Sequence, residues 1–135
     1  QYALPNGDNL KYDEFKTIWT TNKIDELPAV QLLSTLKETY SLYIISNTSE
    51  SHIAQLKAKF TLFSNFEYII TSEAAKSSKP SAEIFNYALN KTGAVAESSV
   101  FIDDLASNVS IAKTIGFKAH HYKDYEGFDR FISSF

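Results

Sequence analysis

Three short polar stretches carry residue types that could act together on a phosphate: Ser46-Asn47, Lys79-Pro80, and Asp103-Asp104 with Asn108 a little further on. A hydroxyl followed by loop N–H groups can hold a phosphate oxygen, although Ser-Asn is also common turn chemistry. Proline forces the preceding Lys79 into an extended backbone, which limits where its ammonium can point. A lone lysine is otherwise usually a solvated surface charge. Ser81, just beyond, is a good N-cap for a following helix. Asp103 and Asp104 end the apolar run Phe101-Ile102, and adjacent carboxylates there are costly to desolvate without a cation partner. Hard oxygen ligands of this kind suit Mg²⁺, which takes one or two carboxylates and keeps positions for water and phosphate. Asn108 lies one helical turn beyond Asp104 and could reach back toward it. The plainer alternative is that Asp104 only favours the start of the next helix electrostatically.

The elements that must position these residues follow from periodicity. Leu10, Phe15, Ile18 and Trp19 recur at roughly helical spacing, which predicts an amphipathic helix over residues 10–21. Pro28 suits the first turn of a second helix that carries Val30, Leu32, Leu33 and Leu36 and ends near Tyr40. From there short apolar runs at 42–45, 66–70, 99–102 and 117–121 read as strands. Helical segments at 50–59, 81–91, 107–115 and 125–135 alternate with them, and Gly116 is a natural C-cap for the third. Strands alternating with helices argue for βαβ units, hence an α/β fold with a parallel sheet. In such sheets ligands bind beyond the carboxyl ends of the strands.

Composition removes several functions. The 135-residue chain has a net charge of −3, and its sequence shows no Lys/Arg cluster, so no nucleic-acid partner is expected. No apolar run approaches the ~18 residues of a membrane span, and no signal peptide opens the chain, so no membrane partner is expected either. Cysteine is absent, which excludes disulfides, zinc thiolates and thiol catalysis, and a cytoplasmic location is the expectation. The opening Gln1-Tyr2-Ala3-Leu4-Pro5 is no initiating sequence and Met is absent throughout. Trimming, processing and an incomplete reading frame all remain open.

Taken in order, the motifs resemble those of the haloacid-dehalogenase-like (HAD-like) hydrolases, whose second, third and fourth motifs follow one another with comparable spacing. Ile44-Ile45-Ser46-Asn47-Thr48, Ser78-Lys79-Pro80-Ser81-Ala82-Glu83-Ile84-Phe85 and Phe101-Ile102-Asp103-Asp104 look like the subfamily with a small helical cap. Asn108-Val109, Ala112-Lys113 and Gly116 continue the likeness, which covers residues 27–122 and is nearest to sugar phosphatases of the alpha-glucose-1-phosphate phosphatase type. The resemblance implies a Rossmann-like parallel sheet with helices on both faces, and a Mg²⁺-dependent phosphatase acting on a small phosphorylated metabolite such as a sugar phosphate. It implies that Ser46 and the Asn47 N–H bind the phosphoryl group and that Lys79 neutralises its charge. It further implies that Asp104 binds Mg²⁺ directly, with Asp103 assisting and Asn108 supporting Asp104 or Lys79.

One part is missing from the pattern. Family members begin with a central strand ending in Asp-x-Asp-x-Thr, whose first Asp attacks phosphorus and whose second serves as acid and base. No such motif occurs in this chain, and Asp8 and Asp13 fall in an expected loop and helix. The expected organisation is therefore a remnant of a helical cap over 1–26 and a HAD-like core over 27–135 with its central first strand missing. Such a chain is expected to be inactive alone and to self-associate through the gap, because unpaired strand edges invite pairing.

Other readings are open to weighing. A phosphoacceptor receiver domain also combines acids, Ser/Thr and Lys, but its acidic pair comes early, whereas Asp103-Asp104 come last. A dehalogenase has no need of the acid pair. A catalytically silent HAD-like binding or regulatory module is the stronger rival, favoured by the absent nucleophile. His120 and His121 read as ordinary edge or surface residues, and the abundant aromatics as packing, since no basic stripe accompanies them.

Overall fold

A central strand organises the molecule, and it comes from a segment whose sequence reads as helix. The structure, a computed structural model, describes residues 17–20 and 27–134. Five parallel strands form one sheet in the order β3-β2-β1-β4-β5: β1 (Thr17–Thr20), β2 (Ser41–Ser46), β3 (Tyr68–Thr71), β4 (Ser99–Asp103) and β5 (Lys118–His121). Interleaved are α1 (Leu27–Leu36), α2 (Glu50–Lys59), the single turn α3 (Ser72–Ala75), α4 (Ala82–Thr92), α5 (Ala106–Ile115) and α6 (Tyr125–Ser133). This is the expected α/β Rossmann-like architecture, and the expected strands and helices from residue 42 onward recur with boundaries shifted by a few residues.

The expected gap is filled. β1 pairs in parallel with β2, Ile18 opposite Leu42 and Trp19 opposite Tyr43, and on its other side with β4, Ile18 opposite Val100. Within the expected cap remnant these four residues belong to the sheet, and the rest of the helix expected over 10–21 lies outside the described residues. The edges of β2 and β4 that flank the expected gap are thus paired. The physical reason lies in the side chains. Thr17, Ile18 and Thr20 are β-branched and Trp19 is aromatic, which favours a pleated surface over a helix.

Neighbouring residues on a strand face opposite ways, and both faces of this sheet are covered. Ile18 joins Leu33, Leu36, Tyr40, Leu42, Val100, Ile102, Phe128 and Ile132, so α1 and α6 lie on one side. Trp19 joins Tyr43, Ile45, Ile84, Phe85, Phe101, Ala112 and Phe117, so α4 and α5 lie on the other. A helix would direct Ile18 and Trp19 toward one side and could serve only one of these cores. Trp19 sits 4.5 Å from the Tyr43 ring and edge-on to Phe117 at 6.3 Å. At the start of the strand the Thr17 and Ser99 hydroxyls bond to each other, satisfying two buried polar groups between β1 and β4.

Parallel pairing puts the carboxyl ends of all five strands at one end of the sheet, so Ser46 and Asp103 emerge on the same rim. α5 returns from that rim and stops at Gly116, whose φ is +126°. A Cβ there would crowd only the end of the exposed Glu97 side chain, so it is the backbone conformation that requires glycine.

Trp19 is the only tryptophan and is wholly buried, which makes the position of β1 measurable. Its emission is expected to be blue-shifted and resistant to acrylamide. Trp19→Ala should cost about 3–5 kcal/mol in urea unfolding, as for other large-to-small core changes. Freely quenched emission together with an unchanged unfolding midpoint would show that β1 is not in the sheet.

Candidate phosphate and metal site

The rim of the sheet gathers the motif residues around one buried ion pair. Lys79 arrives from the loop before α4, across a cis peptide to Pro80, and its Nζ lies 3.0 Å from Asp103 Oδ2 at the end of β4. The ammonium also donates to the Ile45 carbonyl at 2.9 Å, one residue before Ser46 at the end of β2. Its stem passes over the Phe101 ring, with the nitrogen 5.9 Å from the centroid. One lysine therefore ties β2 to β4 across β1.

The loop is held in place by Asn47. Its Oδ1 accepts from the Lys79 N–H at 2.8 Å, and its Nδ2 donates to the Lys79 carbonyl at 3.1 Å. A single amide so mimics a strand neighbour for Lys79 and fixes the backbone from which the ammonium reaches inward. The sequence reading gave Asn47 a backbone role toward phosphate; the side-chain role was not legible, because Ser-Asn carries no sign of a partner 32 residues away.

Asp103 is fully buried and fully used. Oδ1 accepts from the Leu105 N–H at 2.9 Å, and Oδ2 accepts from Lys79 and from Asn108 Nδ2 at 3.0 Å. Burial by itself would raise its pKa. The Lys79 ammonium, the Leu105 N–H and the neighbouring Asp104 outweigh that and hold the carboxyl below its usual range. Asn108, buried on the first turn of α5, supports Asp103, whereas the sequence reading had it support Asp104 or Lys79.

Asp104 is half-buried, and its main chain is anchored from the edge of the sheet. His121, opposite Asp103 in the β4–β5 register, donates from Nε2 to the Asp104 carbonyl at 2.9 Å, and the Tyr122 N–H donates to the Asp103 carbonyl at 2.7 Å. A carbonyl can only accept, so Nε2 of His121 carries a proton in this bond. This second duty of His121 was missed by the sequence reading, since nothing local announces which strand it pairs with. Ser46, almost wholly buried, ends β2 on the same rim.

The donors present fit a hard divalent cation in one way. Asp103 already accepts on both oxygens from Lys79, Leu105 and Asn108, so of the two rim acids Asp104 would be the one to hold such a cation. No group of three or more His, Asp or Glu side chains that could hold a metal forms among the described residues.

The ion pair yields a prediction with a definite sign. An Asp whose folded pKa is depressed adds stability above its unfolded pKa of about 3.9, and this is lost as pH falls through the folded value. Lys79→Met leaves Asp103 buried and unpaired, at an expected cost of about 3–5 kcal/mol near neutral pH. That difference from wild type should shrink as pH falls, beginning above about pH 4, because burial without Lys79 raises the pKa of Asp103, and continuing below it as the wild-type pair is lost. Urea unfolding of both proteins across pH 3–7 measures it, and a difference independent of pH would contradict the pairing.

Comparison with known proteins places this rim in context. A family model described as haloacid dehalogenase-like hydrolase matches residues 6–121. D-ribitol-5-phosphate phosphatase of Bacteroides thetaiotaomicron is 24% identical over 120 residues, covering 83% of this chain and 58% of the relative. A HAD family enzyme of Bacteroides thetaiotaomicron, solved with magnesium and inorganic phosphate, is 28% identical with a TM-score of 0.65, covering 73% of this chain and 52% of that one. A HAD-hydrolase of Bacillus subtilis bound to magnesium is 27% identical with a TM-score of 0.63, over 67% of this chain and 41% of that one. The chain thus spans little more than half the length of the curated relative it matches. With the motif order, the sheet and the matched span in agreement, the chain belongs to the haloacid dehalogenase-like hydrolase family.

Proposed function

We propose that this chain carries the phosphate- and metal-binding side of a Mg²⁺-dependent phosphatase for a small phosphate monoester, of the sugar- or polyol-phosphate class. The observation that carries the reading is the Lys79–Asp103 pair, fixed at the carboxyl ends of β2 and β4 beside Ser46 and Asp104. The relative that acts on D-ribitol 5-phosphate and the magnesium- and phosphate-bound neighbour support the substrate class and the metal.

Each residue has a task in this scheme. Ser46 and the Asn47 N–H receive phosphoryl oxygens. Lys79, its charge directed by Asp103 and the Ile45 carbonyl, neutralises negative charge that builds in the transition state, an effect of several kcal/mol in comparable sites. Asp104 holds Mg²⁺, which would supply further charge neutralisation when bound. Asn108 keeps Asp103 from turning away. The attacking carboxylate is not among these residues: β1 occupies the centre of the sheet but reads Thr17-Ile18-Trp19-Thr20, followed by Thr21-Asn22.

That same feature favours a second reading, a catalytically silent HAD-like module that binds a phosphorylated ligand. The two readings part on the coding sequence upstream of residue 1, where an apolar strand ending in Asp-x-Asp-x-Thr would favour the enzyme.

The 135-residue chain itself should bind Mg²⁺ with inorganic phosphate yet show no turnover of p-nitrophenyl phosphate. NMR titration should show saturable shifts at Ser46 and Asp104. Asp104→Ala should weaken Mg²⁺ at least about tenfold, given that even outer-shell partners contribute as much. Binding indifferent to Asp104→Ala would remove the metal assignment. Mg²⁺-dependent turnover abolished by that variant would show that the chain contains its own nucleophile.

A further inference from the structure

A second cluster of charge lies at the far edge of the sheet, outside the motif residues. Between the end of β5 and the start of α6 is an open cleft of about 400 Å³, walled by Lys113 from α5, His120 and His121 from β5, and Lys123, Asp124 and Arg130 from the loop and α6. The chain as a whole is acidic, at −3, yet this wall carries three permanent cations against one carboxylate. None of Lys113, Lys123 and Arg130 forms an ion pair among the described residues, and all three are exposed. These cations are far apart in sequence, which is why no basic cluster is visible there.

The floor of the cleft is Gly127. A Cβ at that position would lie 3.1 Å from Asp124 Oδ1, the oxygen that caps α6, 3.8 Å from Arg130 Nη2 and 3.9 Å from His120 Nε2, so two nitrogens from different elements flank the floor beside an already engaged carboxylate oxygen. His120 Nε2 is buried and has no hydrogen-bond partner among the described residues, an arrangement that costs free energy unless something fills the space. The imidazole is stacked on Phe131 at 4.7 Å, which fixes its plane. Burial first, then the nearby charges of His121, Arg130 and Lys113, push its pKa down despite Asp124, so it faces the cleft as a neutral ring. The Asp124 carboxylate is engaged as the cap of α6, accepting from the Gly127 N–H at 2.7 Å.

We propose that this cleft is a second anion site, which takes a small phosphate-class dianion between Lys113, Lys123 and Arg130 with the His120 Nε2–H as a neutral donor. The cations supply charge-assisted hydrogen bonds, and Arg130 offers the planar fork suited to phosphate oxygens. Gly127 provides the room. The inference stands apart from the phosphatase reading, because no residue of the cleft belongs to the Ser46–Lys79–Asp104 set.

Site-resolved NMR with inorganic phosphate as the probe, at constant ionic strength, tests it. Saturable shifts are expected at Gly127 and the His120 ring, with the ring nitrogen signals showing the Nε2–H tautomer in the complex. These signals are distinct from any at Ser46 or Asp104, so the two sites are read separately. Arg130→Gln and Lys123→Gln, both at exposed positions, should each weaken binding by about tenfold, the size of one charge-assisted hydrogen bond. Gly127→Ala should weaken it by crowding the floor, and because its Cβ would also press on the Asp124 cap, its unfolding midpoint is measured beside the binding. Identical shifts on adding sodium chloride, or affinity unchanged in both charge variants, would overturn the proposal.

Discussion

The structure turns on one buried charge pair. An ammonium and a carboxylate withdrawn from water are each costly, and together they hold only when geometry and further hydrogen bonds are good. Here every contact that satisfies the pair also fixes a piece of the fold. The Ile45 carbonyl brings in β2, Asn47 brings in the loop before Lys79, and the Leu105 N–H and Asn108 bring in the turn into α5. The alternative of an apolar pair at this point would serve stability equally well. What an apolar pair would lack is a positive charge held at the mouth of the sheet, and this is the property a phosphate needs.

For the pair to meet, β2 and β4 must stand the right distance apart, and that distance is set by β1. Strands in a sheet lie about 4.8 Å from their neighbours, so one intervening strand separates β2 and β4 by nearly 10 Å, a span that Lys79 can bridge. β1 meets this demand with only four residues, because Ile18 and Trp19 each complete a different core. The fit carries a cost: Trp19 Nε1 is buried with no hydrogen-bond partner among the described residues. The slot therefore accepts an apolar strand of this shape without being tailored to an indole.

How much of this could be read from residues alone depended on the range of the interaction. Ser46, Lys79, Asp103 and Asp104 were legible because their types are unusual at the ends of apolar runs and their order along the chain is informative. β2 to β5 were legible because apolar runs flanked by turn residues are local signals. β1 was not, since Leu10, Phe15, Ile18 and Trp19 fit a helical period and four residues are too few to reveal alternation. The roles of Asn47 and His121 were hidden for a different reason. Each depends on a pairing between distant segments, and neither side chain differs in type from ordinary turn or edge residues. Asn108 was found but given the wrong neighbour, because one helical turn cannot decide between adjacent carboxylates.

The position of β1 also bears on what this half-site can do. The central strand runs toward the rim that holds Ser46 and Asp103, and the positions level with them lie beyond Thr20. Thr20, opposite Ile44 and almost wholly buried, is the last described residue of β1. A threonine hydroxyl has no negative charge at neutral pH and would need a neighbouring base to attack phosphorus. The carboxylate of the ion pair, Asp103, is committed to Lys79, Asn108 and Leu105, and its depressed pKa makes it a poor base. Among the described residues the rim supplies charge neutralisation, which without a nucleophile lowers the energy of a bound phosphoryl group as much as that of a transition state. By itself that is uniform binding, which holds a ligand but does not turn it over.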